Sequence, residues 1–597
     1  MRPGTVVLFA AVLSTSCGQR ATKQSFTEVE DEFIYNSLAF SPVAATSAGY
    51  HQHQGVKLDA QLDDFSPAGL DRQRNFYKSL RYRLGDAVSG EQLSPEDRAD
   101  SLIIRDQIEL ALLELNEIEN FRHNPTVYVE LIGNALFNPL VLEYAPKPER
   151  LRDIIARTRK IPAFLEQARK NLTSSPEIWT KVAIEENQGN LDLLERVIPA
   201  AVPPDMRLDY DGSAKPAIEA LHHFQSFLQD ELGKRKQAEW RLSRDLYGRK
   251  FRFALETESG PIQVLRAAEA ELKTVRARML ELSLPLHQKM YPSHSNHSDL
   301  PAHDHENRVI SEVLDRIAEH HARPDTYMAD AKRDLEEARA FVRAKNLLTL
   351  PGRENLQIIE TPEFMRGIYA VGGFAPAPVL EPRLGAFYWV TPIPASWPKA
   401  RIESKLREYN FYHLKLLTIH EAMPGHYVQF EFASGIEPKR QCILRSIWGN
   451  GPYIEGWATY SEQMMLDEGF LNNSPELRLT LLKEELRVVA NAILDVRLHM
   501  FGMTDQRALD LMEKETFQET EEATAKLQRA KLSSCQLPTY FIGWHDWLGI
   551  RDGYQKLQGA KYSLRDFHDR ALKEGAVPLP VLARMLNGEP RGETRSK

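Results

Sequence analysis

Three residues in one short stretch have the types needed for a hydrolytic metal centre. Residues 416–429 read LLTIHEAMPGHYVQ and carry His420, Glu421 and His426. Neutral imidazoles hold a divalent ion, and a carboxylate beside the first can take a proton from the water that the ion activates. The familiar arrangement, H-E-x-x-H, sets its histidines at i and i+4 on one helix face. Here they stand at i and i+6, about 240° of rotation on a regular helix, so one unbroken helix cannot aim both at the same ion. The stretch contains its own break. Pro424 removes a backbone donor and disfavours helix at Met423, and Gly425 tolerates dihedrals closed to other residues.

Two elements must then bring the ligands together. The spacing predicts one helix over 403–423, ending at the Pro-Gly break, and a second over 453–466 (YIEGWATYSEQMML). In the second, Tyr453, Trp457, Tyr460 and Met464 form an apolar face. Glu455, Thr459 and Glu462 fall on another. Glu455, next to Gly456, is the better third ligand. Glu462 either supports a ligand from behind or is merely solvated. The best strand signals are 358–361 and 385–391 (GAFYWVT), aromatic and β-branched between Gly and Pro breakers. A strand there could pair with an extended substrate backbone or simply cover the core.

Elsewhere the periodicity is helical, over 62–84, 97–121, 148–171, 218–246, 261–284, 306–322 and 325–345. The whole reads as a mainly α, large helical fold with a small β element near the cleft. A change of texture near Pro351-Gly352 suggests a helical half, 33–350, and a half carrying the chemistry, 351–597. Between Leu286 and Glu306 the text turns to Pro, Ser, Asp and five histidines: His287, His294, His297, His303 and His305. Without regular ligand spacing this reads as a solvated loop, although such a loop could capture zinc or copper.

The net charge of -8 argues against nucleic acid as a partner, and no internal apolar run reaches membrane-spanning length. At the N-terminus a basic start, an apolar run 5–13 and small residues before Cys17 resemble a bacterial lipoprotein signal, residues 1–17, with Cys17 lipidated. Ser14 departs from the usual leucine in that signal, and an ordinary cleaved signal is the alternative. Gly18 after the cysteine resembles an outer-membrane address. Residues 18–32 read as a polar tether. Cys442 and Cys535 read as two buried free thiols, although export would allow them to pair.

The segments HEAMPGH and YIEGWATYSEQ are similar to the bacterial family known as domain of unknown function 885. That family in turn resembles helical zinc peptidases of the thimet oligopeptidase and angiotensin-converting-enzyme type. The resemblance extends to 44–49, 486–499 (LRVVANAILDVRLH), 537–543 (LPTYFIG) and 564–582. It implies a single zinc ion held by His420, His426 and Glu455, with Glu421 as general base. It further implies Tyr540 as donor to the oxyanion. His499, four residues after Asp495, and His568 would assist the intermediate, position substrate or simply make structural hydrogen bonds. Two places depart from the family pattern. Ser534-Cys535-Gln536-Leu537 stands where Pro-Gly-Gln-Ala is expected, and Asp495–His499 lacks the Asp-Thr-Gly-x-His ending.

Together these readings describe an exported, lipid-anchored zinc hydrolase, a peptidase acting on short peptides in a cleft. The alternatives are a metal hydrolase of another ester or amide, and a lipoprotein that binds peptide or cell-wall fragments without turnover.

Overall fold

The computed structural model describes residues 24–235, 237–294, 297–361, 366 and 371–587, and the chain is mainly α-helical with a few short strands. Side-chain caps set many helix starts. Ser94 Oγ accepts from the Asp97 N–H at 3.0 Å, where the sequence signals a start, and Asn410, Asn450 and Ser474 cap later helices in the same way. The lipoprotein signal and the start of the tether lie outside the described residues. The rest of the tether is not a tether. A helix begins at Phe26, behind a reciprocal capping box of Ser25 and Glu28, and runs to Phe40.

Other boundaries also move. The helix expected over 403–423 is two, Lys399–Glu408 and Phe411–Glu421, because the Asn410 side chain caps a new start. The 148–171 helix is likewise two, Lys147–Thr158 and Ile161–Asn171, with Pro162 in the first turn of the second. Residues 356–360, 372–375 and 386–390 form a three-stranded sheet in the order 356–360, 386–390, 372–375. The first pair is parallel and the second antiparallel. The edge strand Gly372–Ala375 lies just before Pro376, Pro378 and Pro382 and carries no strand signal. Backbone pairing to 386–390 makes it a strand.

The change of texture near residue 350 does not divide the core. Phe26, Ile103 and Ile104 pack in one buried cluster with Cys442, Ile443 and Leu444. Arg445 makes a buried bidentate pair with Asp100, Nε to Oδ1 at 2.7 Å and Nη2 to Oδ2 at 3.0 Å. Such a pair is costly to break because either partner alone would be an unpaired buried charge. Cys442 and Cys535 are buried free thiols.

Two contacts fix the elements around the chemistry. Lys415, on the 411–421 helix, is almost fully buried and donates to Asp334 at 2.7 Å and to Glu337 on the helix Tyr327–Lys345. The helix Gly451–Asp467 crosses Pro538–Gln558 at Gly456 and Gly543. A Cβ on Gly456 would sit 2.4 Å from the Gly543 carbonyl carbon, and one on Gly543 would sit 2.0 Å from the Pro452 oxygen. Both glycines are required by close backbone approach. Gly543→Ala should therefore lower stability in chemical denaturation by about 1–3 kcal/mol or more, the range for forcing extra atoms into a packed core. An unchanged midpoint would show that the crossing is not tight.

Candidate metal centre

The Pro-Gly break does what the spacing demands. The helix Phe411–Glu421 ends one residue after His420, and a new helix, His426–Ser434, begins with the second histidine. The Met423–Pro424 peptide is cis. Gly425 caps the second helix, and its N–H donates to the Ile419 carbonyl at 2.9 Å. A Cβ there would lie 1.8 Å from the His420 carbonyl oxygen, so no side chain fits. Trp457 holds the break from outside: its indole N–H donates to the Pro424 carbonyl at 2.9 Å and to the Gly425 carbonyl at 3.2 Å. Trp457 follows Glu455 by two residues, so the clamp also sets the ligand-bearing helix.

The two imidazoles and one carboxylate converge. Nε2 of His420 lies 3.6 Å from Glu455 Oε2, and Nε2 of His426 lies 3.4 Å from the same oxygen. All three donor atoms fall within 4.8 Å of one another. Tetrahedral zinc with bonds of about 2.0–2.1 Å needs ligand atoms about 3.3 Å apart. The donor set fits a zinc-type ion.

Glu462 completes the support. Its Oε1 accepts from His420 Nδ1 at 2.7 Å, which fixes the ring with Nε2 facing Glu455 as the atom that would bind a metal once its proton is lost. Burial raises the Glu462 carboxyl above its ordinary value, and the His420 imidazole opposes this. Burial also works against charge on Glu455, but the two imidazoles outweigh it and hold that carboxyl well below the usual carboxylate range. Burial disfavours a proton on His420, and the carboxylates of Glu455 and Glu462 overcome it, raising the imidazole well above its ordinary value. Taking up a metal would then displace a proton from His420. Glu421 is buried, and burial raises its carboxyl, opposed by the imidazoles of His420 and His426.

His420, Glu421 and Tyr540 line a common cleft with Gly372 of the edge strand, Glu462, Arg487, Lys526 and Arg529. The Tyr540 ring stacks at 6.4 Å from that of His420. Its phenol oxygen accepts from Gln536 Nε2 at 3.2 Å and from Arg529 Nη2 at 3.3 Å, so its own proton is left to be donated. Phe374 of the edge strand stacks 6.3 Å from His426. Gly372 in that strand lines the cleft, which places the strand beside the candidate ligands.

The structure keeps His499 and His568 out of this group. His499 accepts the Leu242 N–H at Nδ1, 3.2 Å, and donates from Nε2 to the Ser533 carbonyl, 3.2 Å. Burial lowers it to about 4, which makes it a neutral clasp. Asp495 accepts from the Tyr247 hydroxyl and from the Cys535 N–H. Both residues therefore hold the segment leading into Tyr540. Cys535 occupies the position where the family pattern expects glycine, and its φ is 64°, in the left-handed region. The backbone keeps the glycine-like turn although the side chain differs. His568 is fully buried, bonded to the Tyr460 hydroxyl and the Leu347 carbonyl at 2.8 Å each, with its ring edge-on to Trp457. It buttresses the clamp. The basic residues of the cleft, Arg487, Lys526 and Arg529, are not singled out from the sequence, and burial lowers Lys526 to about 7. A signal existed for Arg487, the basic residue in the apolar run LRVVANAIL of a helix buried along most of its length.

The family described as "Bacterial protein of unknown function (DUF885)" matches residues 42–586, and the chain belongs to it. Among solved structures, a candidate lipoprotein of unknown function from Shewanella oneidensis is 28% identical. It aligns with a TM-score of 0.76 over 94% of this chain and 100% of its own. A candidate lipoprotein from Colwellia psychrerythraea is 18% identical, with a TM-score of 0.74 over 95% of this chain and 99% of its own, and shares the fold. An M32 carboxypeptidase from Deinococcus radiodurans R1 aligns at 11% identity and a TM-score of 0.41, over 94% of this chain and 95% of its own. No curated protein matches the chain.

Glu462→Gln keeps the side-chain shape but removes the charge behind His420. It should weaken zinc binding about 10–100-fold with the fold intact, measured by competition with a chromophoric chelator. Unchanged affinity would mean that Glu462 does not support the ligand.

Proposed function

We propose that this protein is a zinc-dependent hydrolase of short peptides, anchored to the bacterial cell envelope by lipid on Cys17. The observation that carries the reading is the convergence of His420 Nε2, His426 Nε2 and Glu455 Oε2, with Glu421 beside them and a carboxylate behind His420. Carboxylate-supported histidines are characteristic of metal sites. Three protein ligands leave a tetrahedral ion one open position, the mark of a catalytic rather than a structural site.

His420, His426 and Glu455 would hold the ion, which when bound supplies a Lewis acid for a carbonyl and lowers the pKa of water. Glu421 takes the proton from the attacking water onto its carboxylate, and burial makes that carboxylate a stronger base than one in solvent. The same group then delivers the proton to the leaving nitrogen. Tyr540, its oxygen oriented by Arg529 and Gln536, donates its phenolic hydrogen bond to the oxyanion. Of the basic residues lining the cleft, Arg529 is the one placed to meet the carboxylate of a small peptide, since Arg487 is paired with Glu522 and burial lowers Lys526 to about 7. Strand 372–375, at the sheet edge beside the ligands, offers backbone groups to an extended chain. The lipid anchor rests on the signal-like N-terminus and on the descriptions of the Shewanella and Colwellia relatives as candidate lipoproteins.

The test is incubation with a defined peptide mixture, read by mass spectrometry. Zinc-loaded protein should generate fragments that disappear with a chelator and return with zinc. Glu421→Gln should retain zinc and lose turnover by at least ~10²-fold. Tyr540→Phe should lower kcat by about 10²–10³-fold, with a smaller change in KM. Full activity of Glu421→Gln would remove it as the base, and an absence of chelator-sensitive fragments would favour a binding protein.

A further inference from the structure

The histidine-rich stretch, which the sequence presents as a solvated insertion, is gathered by the fold around one carboxylate. His287 lies in the last turn of the helix Pro261–Met290, and Glu312 in the helix Ala302–Ala318. His294 and His297 belong to the connection between them. Nε2 of His287 is 2.7 Å from Glu312 Oε2, Nε2 of His297 is 3.0 Å from the same oxygen, and Nε2 of His294 is 3.4 Å from Oε1. The four donor atoms lie within 4.8 Å of one another. We propose that His287, His294, His297 and Glu312 form a second, structural zinc site that clasps the two helices through their connection.

Four features support a metal over a cluster of ordinary hydrogen bonds. One donor atom from each of the four residues lies within 4.8 Å of the others, close to the ligand–ligand distance of about 3.3 Å that tetrahedral zinc requires. The rings are not stacked: the three pairs have interplanar angles of 47°, 67° and 73°, so the imidazoles splay around a common point. Glu312 is held from outside, with Arg308 Nε 2.7 Å from Oε1 and the Tyr291 hydroxyl donating to its backbone carbonyl at 3.0 Å. A ligand carboxylate needs that kind of outer support. His287 is buried at the root of the cluster, Glu312 and His297 are mostly covered, and His294 is the exposed member. Four protein ligands would leave no open position, so this site would stabilise rather than catalyse. A third grouping, Glu408, His413 and Glu484, differs in kind. Glu408 there is occupied by Lys483 at 2.8 Å and the Glu519 N–H at 3.1 Å.

The proposal is independent of the cleft and is tested without it. The full-length chain carrying His420→Ala and His426→Ala is saturated with zinc and dialysed against metal-free buffer. Its metal is then counted by mass spectrometry. It should retain a single zinc ion per chain, and adding His294→Ala with His297→Ala should remove that ion. If circular dichroism shows that the combined variant does not fold, the comparison moves to the otherwise native chain. There, His294→Gln with His297→Gln should lower the zinc content by one ion. No retained zinc in the cleft-deleted chain, or a zinc content unaffected by the loop substitutions in whichever chain folds, would overturn the proposal.

Discussion

The arrangement depends on one hydrogen-bonded clamp. Trp457 donates its indole N–H to the Pro424 and Gly425 carbonyls, at the point where the chain leaves one helix and enters the next. Breaking a helix leaves carbonyls and amides without their usual partners, and burying them unpaired is costly. The Thr418 and Ile419 carbonyls at the end of the first helix accept from the Ala422, Met423 and Gly425 N–H groups, and Trp457 satisfies the Pro424 carbonyl within the break. Because the tryptophan lies on the same helix as Glu455 and Glu462, one interaction both stabilises the break and sets two carboxylates opposite the two histidines. His568 and Tyr460 pack behind the indole and are bonded to each other, which explains why a fully buried histidine far from the cleft chemistry belongs to the same assembly.

Around that clamp the fold supplies rigidity in two ways. Gly456 and Gly543 let two long helices approach at backbone contact, so the segments carrying Glu455 and Tyr540 are fixed relative to each other. Buried ion pairs tie the rest: Lys415 to Asp334 behind the first histidine helix, and Arg445 to Asp100 between early and late parts of the chain. Such pairs do little for net stability compared with apolar packing, but losing one partner is severe. They specify which helix faces meet. The candidate metal site, built on helices held in this way, has its donor atoms within 4.8 Å of one another.

That His420, His426 and Glu455 come together was legible because the signal is chemical and local. Two histidines, a glutamate and a Pro-Gly break sit within seven residues, 420–426, and Glu455 stands off the aromatic face of its own helix. The mainly helical class was legible from periodicity. What stayed hidden depends on tertiary contact. The edge strand 372–375 exists because 386–390 pairs with it. The Asn410 cap that splits the 399–421 region is weak evidence until its amide partners are in place. The texture change near residue 350 looked like a boundary, yet the core runs through it. His499 and His568 share residue types with catalytic groups, but only their bonding shows that they hold backbone and hydroxyl groups instead. The histidines of 287–297 lack ligand spacing in the chain because Glu312, on the next helix, is the centre around which they gather.

Whether His420, His426 and Glu455 hold one catalytic metal ion is read most directly by anomalous diffraction from zinc-loaded crystals at the zinc absorption edge. A strong anomalous peak is expected at about 2.0–2.1 Å from Nε2 of both histidines and from Glu455, with Glu462 still bonded to His420 Nδ1. A map with no peak between these three side chains, while they remain bonded directly to one another, would contradict this assignment.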